Sequence, residues 1–298
     1  MKKLCPFLII LSACLWGTIG ISVKELNSFG LGSMQVVFLR ALATVLLMAP
    51  ILFFYNKTLF KIKLKDIWCF IGTGIISIVL FTFFNFYTIS LTSLSFASIM
   101  MYTAPFIMVF LAALFFKEKI TFKKIFACII AFVGCCFVAG IFGQDNGITT
   151  LSIFTGIASG FFYALYTVFS RFALKKGYMA LTITFYTFVF SLIGSFPFIN
   201  AKETFGIIVS APESLTFVLI IAVFSTIAPY ILYTSGLKGL ESGIALILAT
   251  AEPVVATIVG LIFYKEKLTL LSVIGIILVI LSVIVLNLNK NGAETYKQ

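Results

Sequence analysis

Two ionisable residues stand inside apolar stretches of this sequence, and they are the first candidates for chemistry. Glu252 lies near the centre of one stretch, directly before Pro253, and Arg40 lies about one helical turn from the middle of another. A charged side chain in a hydrocarbon layer is costly, so it usually serves a function. The pair would suit a zwitterion, since Arg40 could hold a carboxylate and Glu252 could accept an ammonium group or a proton.

Each of the two residues also has a purely structural explanation. Glu252 could pair with a hydroxyl group or with Arg40 and so hold two parts of the chain together. Arg40 could bind helix carbonyl groups or extend towards the membrane surface. Pro253 crowds the carbonyl group of Ala249, so free carbonyl oxygens there would add acceptors to a site. The sequence leaves the functional and the structural alternatives open.

A second set of candidates is aromatic or polar and lies in other apolar stretches. Aromatic rings offer a ligand an apolar wall with a polar tip, although most aromatic residues in such a chain face lipid. Prolines inside apolar stretches are candidate hinges because they interrupt helical hydrogen bonding. The further predicted substrate-binding residues are Trp16, Asn85, Tyr87, Tyr102, Tyr163, Tyr230 and Tyr233. The predicted hinges are Pro105, Pro229 and Pro253.

Composition places the chain among membrane proteins. Of its 298 residues, 61% are hydrophobic and 10% are charged, whereas soluble domains are about 45–50% apolar. The net charge of +11 is spread between the apolar stretches, which argues against a nucleic-acid partner and for contact with membrane lipids. The sequence has no histidine, and its six cysteines form no C-x-x-C pair, so we predict no metal site.

Ten apolar stretches occur, each near the ~20 residues that cross the hydrocarbon core as a helix. They are Cys5–Val23, Ser33–Tyr55, Ile67–Ser90, Ser95–Phe116, Thr121–Phe142, Leu151–Ala173, Met179–Asn200, Leu215–Gly236, Ser242–Tyr264 and Thr269–Leu288. The first resembles a lipoprotein signal ending at Cys14, but it continues to the length of a full span. We therefore predict an all-α polytopic membrane protein with ten transmembrane helices.

The positions of lysine and arginine predict that both termini are cytoplasmic. With the N-terminus inside, sixteen of the 21 basic residues fall on the inner side, four fall outside, and Arg40 lies within the membrane. Cytoplasmic loops of membrane proteins are enriched in these residues.

The two halves of the sequence resemble each other. SFASIMMYTAPFIMVFLAALFFKEK, which starts at Ser95, aligns with SGIALILATAEPVVATIVGLIFYKEK, which starts at Ser242, so that Pro105 matches Pro253 at an offset of 148 residues. Because each half has five helices, an odd number, the second copy enters the membrane inverted, as in many secondary transporters. We predict a first repeat at 1–142, an extracytoplasmic linker at 143–150, an inverted second repeat at 151–288 and a cytoplasmic tail at 289–298.

At this level of detail the chain resembles the EamA-type transporters of the drug/metabolite transporter superfamily. The likeness rests on the five-plus-five arrangement, on Trp16-Gly17 in the first helix and on Arg40 in the second. It also rests on the mid-helix prolines of the fourth and ninth helices and on the endings LFFKEK and LIFYKEK. The resemblance implies ATP-independent transport of small metabolites through a central cavity. It further implies that Glu118 and Glu266, which recur in the family, cap or gate each half.

The expected function is a secondary transporter that moves a small metabolite, such as an amino acid or related zwitterion, by alternating access. Export across a bacterial plasma membrane is the expected direction, without a cofactor and with protons as a candidate coupling ion. Gly156 and Gly160 indicate close helix packing, within a monomer or in a weak homodimer. A channel or a structural membrane protein is the alternative. An intramembrane enzyme is a weaker one, since the chain has no G-x-S-x-G motif and no histidine base.

Overall fold

The computed structural model describes residues 4–139, 148–265 and 269–287, and within these ranges the chain is helical with no strand. Nine helical stretches are long and apolar enough to cross a membrane, and a tenth apolar helix is shorter. Most of the predicted linker 143–150 lies outside the described residues, as do Glu266, Lys267 and the predicted tail 289–298. The fold class is therefore all-α and polytopic, and the described part of the tenth helix falls short of a full span.

We number the ten apolar helices span 1 to span 10 in chain order. They cover Cys5–Ser28, Ser33–Tyr55, Leu64–Leu91, Ser95–Phe116, Phe122–Ala139, Thr150–Lys175, Ala180–Phe198, Ser214–Leu237, Ser242–Tyr264 and Leu270–Leu286. A separate short helix, Ala201–Ser210, follows span 7. The predicted stretches agree with these bounds to within a few residues at most ends.

Spans 4 and 9 are each interrupted near the middle. Span 4 consists of the helices Leu94–Met101 and Ala104–Phe116, and span 9 consists of Ser242–Ala249 and Glu252–Tyr264. Pro105 and Pro253 occupy the first turn after each interruption, where a helix has no use for the missing N–H. The internal match in the sequence is thus repeated in the backbone.

The first helix of each half packs against the interrupted helix of the other half. A Cβ atom added to Gly17 of span 1 would lie 2.7 Å from the carbonyl oxygen of Glu252 in span 9. A Cβ atom added to Gly160 of span 6 would lie 2.5 Å from Oγ1 of Thr103, in the interruption of span 4. Gly156 faces the side chain of Met100 in the same way, so this glycine pair packs helices within one chain.

Spans 5 and 10 cross at glycines. A Cβ atom on Gly134 would lie 2.9 Å from the carbonyl oxygen of Gly275, and a Cβ atom on Gly275 would lie 2.6 Å from that of Gly134. The outer face of span 10 is apolar and exposed, as at Leu270 and Ile277, which is the pattern of a helix that faces lipid.

The largest buried apolar cluster joins the two halves. It draws on spans 1, 4, 6, 8 and 9, through residues such as Ile9, Trp16, Met108, Tyr166, Tyr233 and Leu246. Burial of large side chains from five spans at one place fixes the position of the aromatic residues described next.

Candidate substrate-binding site

A small cavity lies among spans 1, 3, 6 and 8. Its volume is about 10 Å³, roughly the space needed for one water molecule. Five of its seven lining side chains are aromatic. The lining residues are Trp16, Ser77, Ile78, Phe81, Tyr163, Tyr166 and Tyr230. In this conformation the cavity is nearly closed.

The aromatic wall of the cavity is held by edge-to-face contacts. The ring of Tyr230 lies 5.2 Å from the ring of Trp16 and 5.0 Å from that of Tyr166, at interplanar angles of 78° and 84°. The rings of Phe81 and Tyr163 form a tilted pair, with centroids 5.3 Å apart and an interplanar angle of 44°. Edge-to-face contacts are a preferred geometry of aromatic pairs. The hydroxyl group of Tyr166 shares a 3.0 Å hydrogen bond with Thr234, which anchors this side of the wall.

Arg40 stands beside this wall on span 2. Its guanidinium carbon lies 5.7 Å from the centroid of the Phe188 ring, and that ring lies 5.0 Å from the ring of Tyr230. Arg40 also interacts with the hydroxyl group of Tyr230. Its Nε is buried and finds no hydrogen-bond acceptor in the described part of the chain. The guanidinium therefore keeps a donor for a ligand.

Glu252 stands near the same wall, as the first residue of the second helix of span 9. Its backbone packs on Gly17, the neighbour of Trp16, and its carboxylate acts electrostatically on Tyr102, Tyr163 and Tyr230. A carboxylate in the first turn is favoured by the helix dipole. Among the residues that the structure describes, the ion pairs found do not join Glu252 to Arg40.

Two of the predicted tyrosines lie behind or beside the cavity. Tyr233 is buried, shares a 2.7 Å hydrogen bond with Thr167, and places its ring 5.4 Å from that of Trp16. Tyr102 is buried next to the interruption of span 4, in a cluster that includes Tyr163. Both support the aromatic wall without lining the cavity.

The structure separates Asn85 from Tyr87. Asn85 lies one turn beyond Phe81 on the same face of span 3, and its buried Oδ1 has no hydrogen-bond partner in the described chain. Tyr87 is two residues further on, on the opposite side of the helix, where it is 43% exposed and stacks on Phe83. Asn85 is thus aligned with the cavity, whereas Tyr87 points away from it.

Four lining residues were not predicted from the sequence: Ser77, Ile78, Phe81 and Tyr166. Phe81 follows Ser77 by four residues, and Tyr166 follows Tyr163 by three, so each stands on the same helix face as another lining residue. That spacing is the signal that could have found them. The three predicted hinge prolines each stand just after a departure from regular α-helix, Pro229 being the one that follows a π-helical stretch.

The end of the molecule that holds Glu118 carries a buried polar network between the halves. The carboxylate of Glu118 is buried and accepts hydrogen bonds from the backbone N–H groups of Ser242 at 2.8 Å and Gly243 at 3.4 Å. It therefore caps the first helix of span 9. Arg171 lies 4.0 Å from Glu118 and donates to the carbonyl oxygen of Leu237 at 2.6 Å.

Further charges belong to the same network. Lys124 is buried, forms an ion pair with Glu241 and donates to the carbonyl oxygen of Lys119 at 2.8 Å. Together with Glu118 and Arg171, these contacts join the end of span 4 and the start of span 5 to the loop between spans 8 and 9. We call the set of Glu118, Lys124, Arg171, Glu241 and the Ser242 backbone the Glu118 network.

A second polar contact joins the halves, between the start of span 3 and the loop that precedes span 7. Lys176 donates to Asp66 at 2.6 Å, and the hydroxyl group of Tyr178 donates to the same carboxylate at 2.9 Å. Asp66 is buried, and its hydrogen bond raises the pKa of Lys176. The amine therefore stays charged at neutral pH.

Comparison with known proteins agrees with this architecture. The model of the EamA-like transporter family matches residues 3–140 and, a second time, residues 150–288. The chain belongs to the EamA-like transporter family. It is thus a polytopic membrane transporter with a two-repeat architecture.

Relatives of this family member span its whole length. An uncharacterized transporter of Archaeoglobus fulgidus is 28% identical over 290 residues, covering 95% of this chain and 98% of the relative. The uncharacterized inner membrane transporter YicL of Salmonella typhimurium is 25% identical over 292 residues, covering 94% of each. A solved crystal structure shares the fold with a TM-score of 0.79 at 14% identity, covering 99% of this chain and 100% of that one.

Proposed function

We propose that this EamA-family protein is a secondary transporter of a small zwitterionic metabolite, such as an amino acid, and that it works by alternating access. The observation that carries the proposal is the cavity between the halves, whose aromatic wall has both Arg40 and Glu252 near it without an ion pair between them. Two opposite charges near one apolar wall match the two charged ends of a zwitterion.

The surroundings of Arg40 and Glu252 support binding of a ligand rather than an ion pair between the two residues. A buried ion pair would neutralise both groups and leave neither available. Here the buried Nε of Arg40 has no acceptor among the described residues, and Glu252 is the first residue of a helix that packs against Gly17. A carboxylate of the ligand would therefore gain a charged hydrogen-bond partner at Arg40, and an ammonium group would gain one at Glu252.

The direction of opening follows from the predicted topology. We place both termini in the cytoplasm and take the second repeat as inverted, which puts the Glu118 network and the Asp66–Lys176 contact at the cytoplasmic end. These contacts bind the halves together there, so this conformation is the one closed towards the cytoplasm. Export across the cell membrane would begin from the opposite conformation.

The substrate and the two charges can be tested together in proteoliposomes. Reconstituted protein is given a panel of radiolabelled amino acids and of the corresponding amines and carboxylic acids, with and without a pH gradient. We expect uptake of zwitterions, and a loss of at least about tenfold in Arg40→Gln and Glu252→Gln, the scale of one charged hydrogen bond. Glu203→Gln and Lys57→Gln, which remove exposed charges, serve as controls.

Several outcomes would contradict the proposal. Normal uptake by both Arg40→Gln and Glu252→Gln would remove the two residues from the site. Uptake that ignores the pH gradient in the wild type and in Glu252→Gln alike would remove proton coupling. Single-channel currents without saturable uptake would favour the channel alternative.

A further inference from the structure

Spans 3 and 8 each contain a stretch of π-helix. In span 3 it covers Gly72–Val79, and in span 8 it covers Val223–Ile227. The π-helix, in which an N–H group bonds to the carbonyl group five residues earlier, is rare and is frequent at functional sites. Within the described residues these two stretches are the π-helices of the chain, and both lie in the third helix of a half.

A side-chain hydroxyl group reinforces each of these wide turns. Oγ of Ser77 donates to the carbonyl oxygen of Gly72 at 2.7 Å, and Oγ1 of Thr226 donates to that of Ile221 at 2.8 Å. In both cases the acceptor lies five residues earlier in the chain. A hydroxyl group in an ordinary α-helix reaches the carbonyl three or four residues back, as Thr257 does with Pro253.

The two arrangements occupy equivalent places in the repeats. Thr226 follows Ser77 by 149 residues, and Ile221 follows Gly72 by the same 149. This offset is within one residue of the 148 that relates Pro105 to Pro253. A π-helical stretch with a hydroxyl group bonded to the carbonyl five residues earlier is therefore present once in each half.

Both stretches lie where the halves meet. Ser77 lines the cavity. Gly72 packs directly on the ring of Phe169 in span 6, and a Cβ atom on Gly74 would lie 2.5 Å from the carbonyl oxygen of Thr187 in span 7. The π stretch of span 8 packs correspondingly against spans 1 and 2. Each wide turn therefore contacts the first two helices of the opposite half.

We propose that spans 3 and 8 change pitch at the paired π stretches when access to the cavity switches from one side of the membrane to the other. Ser77 and Thr226 are the positioning residues that stabilise the wide-turn form. The inference rests on the proposed alternating-access function. In an α-helical form the hydroxyl groups would turn to the carbonyl groups of Thr73 and Ala222, four residues back. Removing one residue from a turn rotates the helix beyond it by about 100° and shifts it by about 1.5 Å.

That rotation would act on the substrate site directly. Phe81 and Asn85 lie beyond the wide turn of span 3, on the same helix face as Ser77. Phe81 lines the cavity, so a change of pitch at Gly72–Val79 would alter the wall itself. In span 8 the corresponding change would move Tyr230, which follows Thr226 by four residues.

Electron–electron distance measurements in lipid nanodiscs test the proposal. Spin labels on cysteines at exposed positions Ser90 and Val209 report on span 3, and labels at Lys238 and Lys57 report on span 8, in a chain whose native cysteines are alanine. Ser77→Ala and Thr226→Val each remove a hydrogen bond made only in the wide-turn form. We expect each to lower the ratio of the wild-type distance population to the second population by roughly two- to tenfold.

Matched controls separate this effect from the loss of a buried hydroxyl group. Ser12→Ala and Ser282→Ala remove buried hydroxyl groups whose acceptors lie three residues back in ordinary α-helix, and should leave the populations unchanged. Ser77→Thr and Thr226→Ser keep the hydroxyl group and should give the same distance populations as the wild type. Distributions of Ser77→Ala and Thr226→Val that match those of the controls, or a single distance in every variant, would overturn the proposal.

The same preparations distinguish a failure of the proposed role of the π stretches from a failure of the proposed transport function. Saturable amino-acid uptake together with unchanged distances would overturn the role of the π stretches and leave the transport function standing. Absence of uptake by the wild type, whatever the distances, would count against the proposed function itself.

Discussion

Arg40 shows how one side chain can define a ligand. Its charge lies next to the ring of Phe188 and the hydroxyl group of Tyr230, and its Nε lacks an acceptor among the described residues. A guanidinium is planar and offers paired donors to a carboxylate, whereas the ammonium group of lysine offers a point charge. The site should therefore require arginine rather than a positive charge alone.

At the residue scale, we predict that Arg40→Lys weakens substrate binding even though the positive charge is kept. We expect the KM for a carboxylate-bearing substrate to rise at least tenfold, because about 1.5–3 kcal/mol of charged hydrogen bonding is lost. The KM for the corresponding decarboxylated amine, where it is transported, should change little. The measurement is initial uptake rate against concentration in proteoliposomes. An unchanged KM for both substrates would contradict the assignment.

Residue type and depth led to three of the residues that line the cavity, Trp16, Tyr163 and Tyr230. Arg40 and Glu252 lie near its wall. Depth alone could not separate Asn85 from Tyr87, since the two residues differ in the side of the helix on which they stand. The place of these residues in substrate binding remains a prediction that the uptake experiments test.

At the scale of single helices, the contact between spans 1 and 9 depends on Gly17. A Cβ atom there would lie 2.7 Å from the carbonyl oxygen of Glu252 and 2.7 Å from Cβ of Val255. Both neighbours belong to the first turn after the interruption and cannot move without moving the helix. The same contact places Trp16 next to the residue before Pro253.

We expect Gly17→Ala to destabilise the protein by about 1–3 kcal/mol, the usual cost of overpacking. Gly20→Ala is the matched control, because it lies in the same span and its Cβ would meet nothing within 4 Å. Tryptophan fluorescence during thermal unfolding in detergent should show a lower melting temperature for Gly17→Ala alone. Equal melting temperatures for the two variants would mean that spans 1 and 9 can separate at no cost.

The helices themselves were predictable, but their irregularities were only partly so. Prolines 105 and 253 correctly indicated that spans 4 and 9 are interrupted near the middle. The π stretches of spans 3 and 8 carry no comparable local signal, because Ser77 and Thr226 have ordinary helical neighbours. Their wide turns depend on packing against spans of the opposite half, which a single sequence does not display.

At the scale of the whole molecule, the Glu118 network joins the two halves at one end. Ser242 lies 124 residues from Glu118 in the chain, yet its N–H group donates to the Glu118 carboxylate. The resemblance to the family implies that Glu118 and Glu266 cap or gate each half. In the structure, Glu118 of the first half caps a helix of the second. Such a distant pairing could not be predicted from local pattern.

We expect Glu118→Ala to open the end predicted to be cytoplasmic, because it leaves the buried N–H groups of Ser242 and Gly243 without their acceptor, at a cost of about 1–3 kcal/mol. A cysteine at the cavity position Ile78 should then react at least fivefold faster with an impermeant maleimide added from the cytoplasmic side. Glu213→Ala, which removes an exposed carboxylate, is the control. Faster reaction from the outer side instead would show that the predicted orientation is reversed.

The crossing of spans 5 and 10 has a consequence for how the duplicated halves could change over time. Gly134 and Gly275 each lie against the carbonyl oxygen of the other, so neither has room for a methyl group. In a duplicated chain, two equivalent positions can diverge wherever each contacts only its own neighbours. Gly134 and Gly275 contact each other, so a larger residue at either position would push both helices apart.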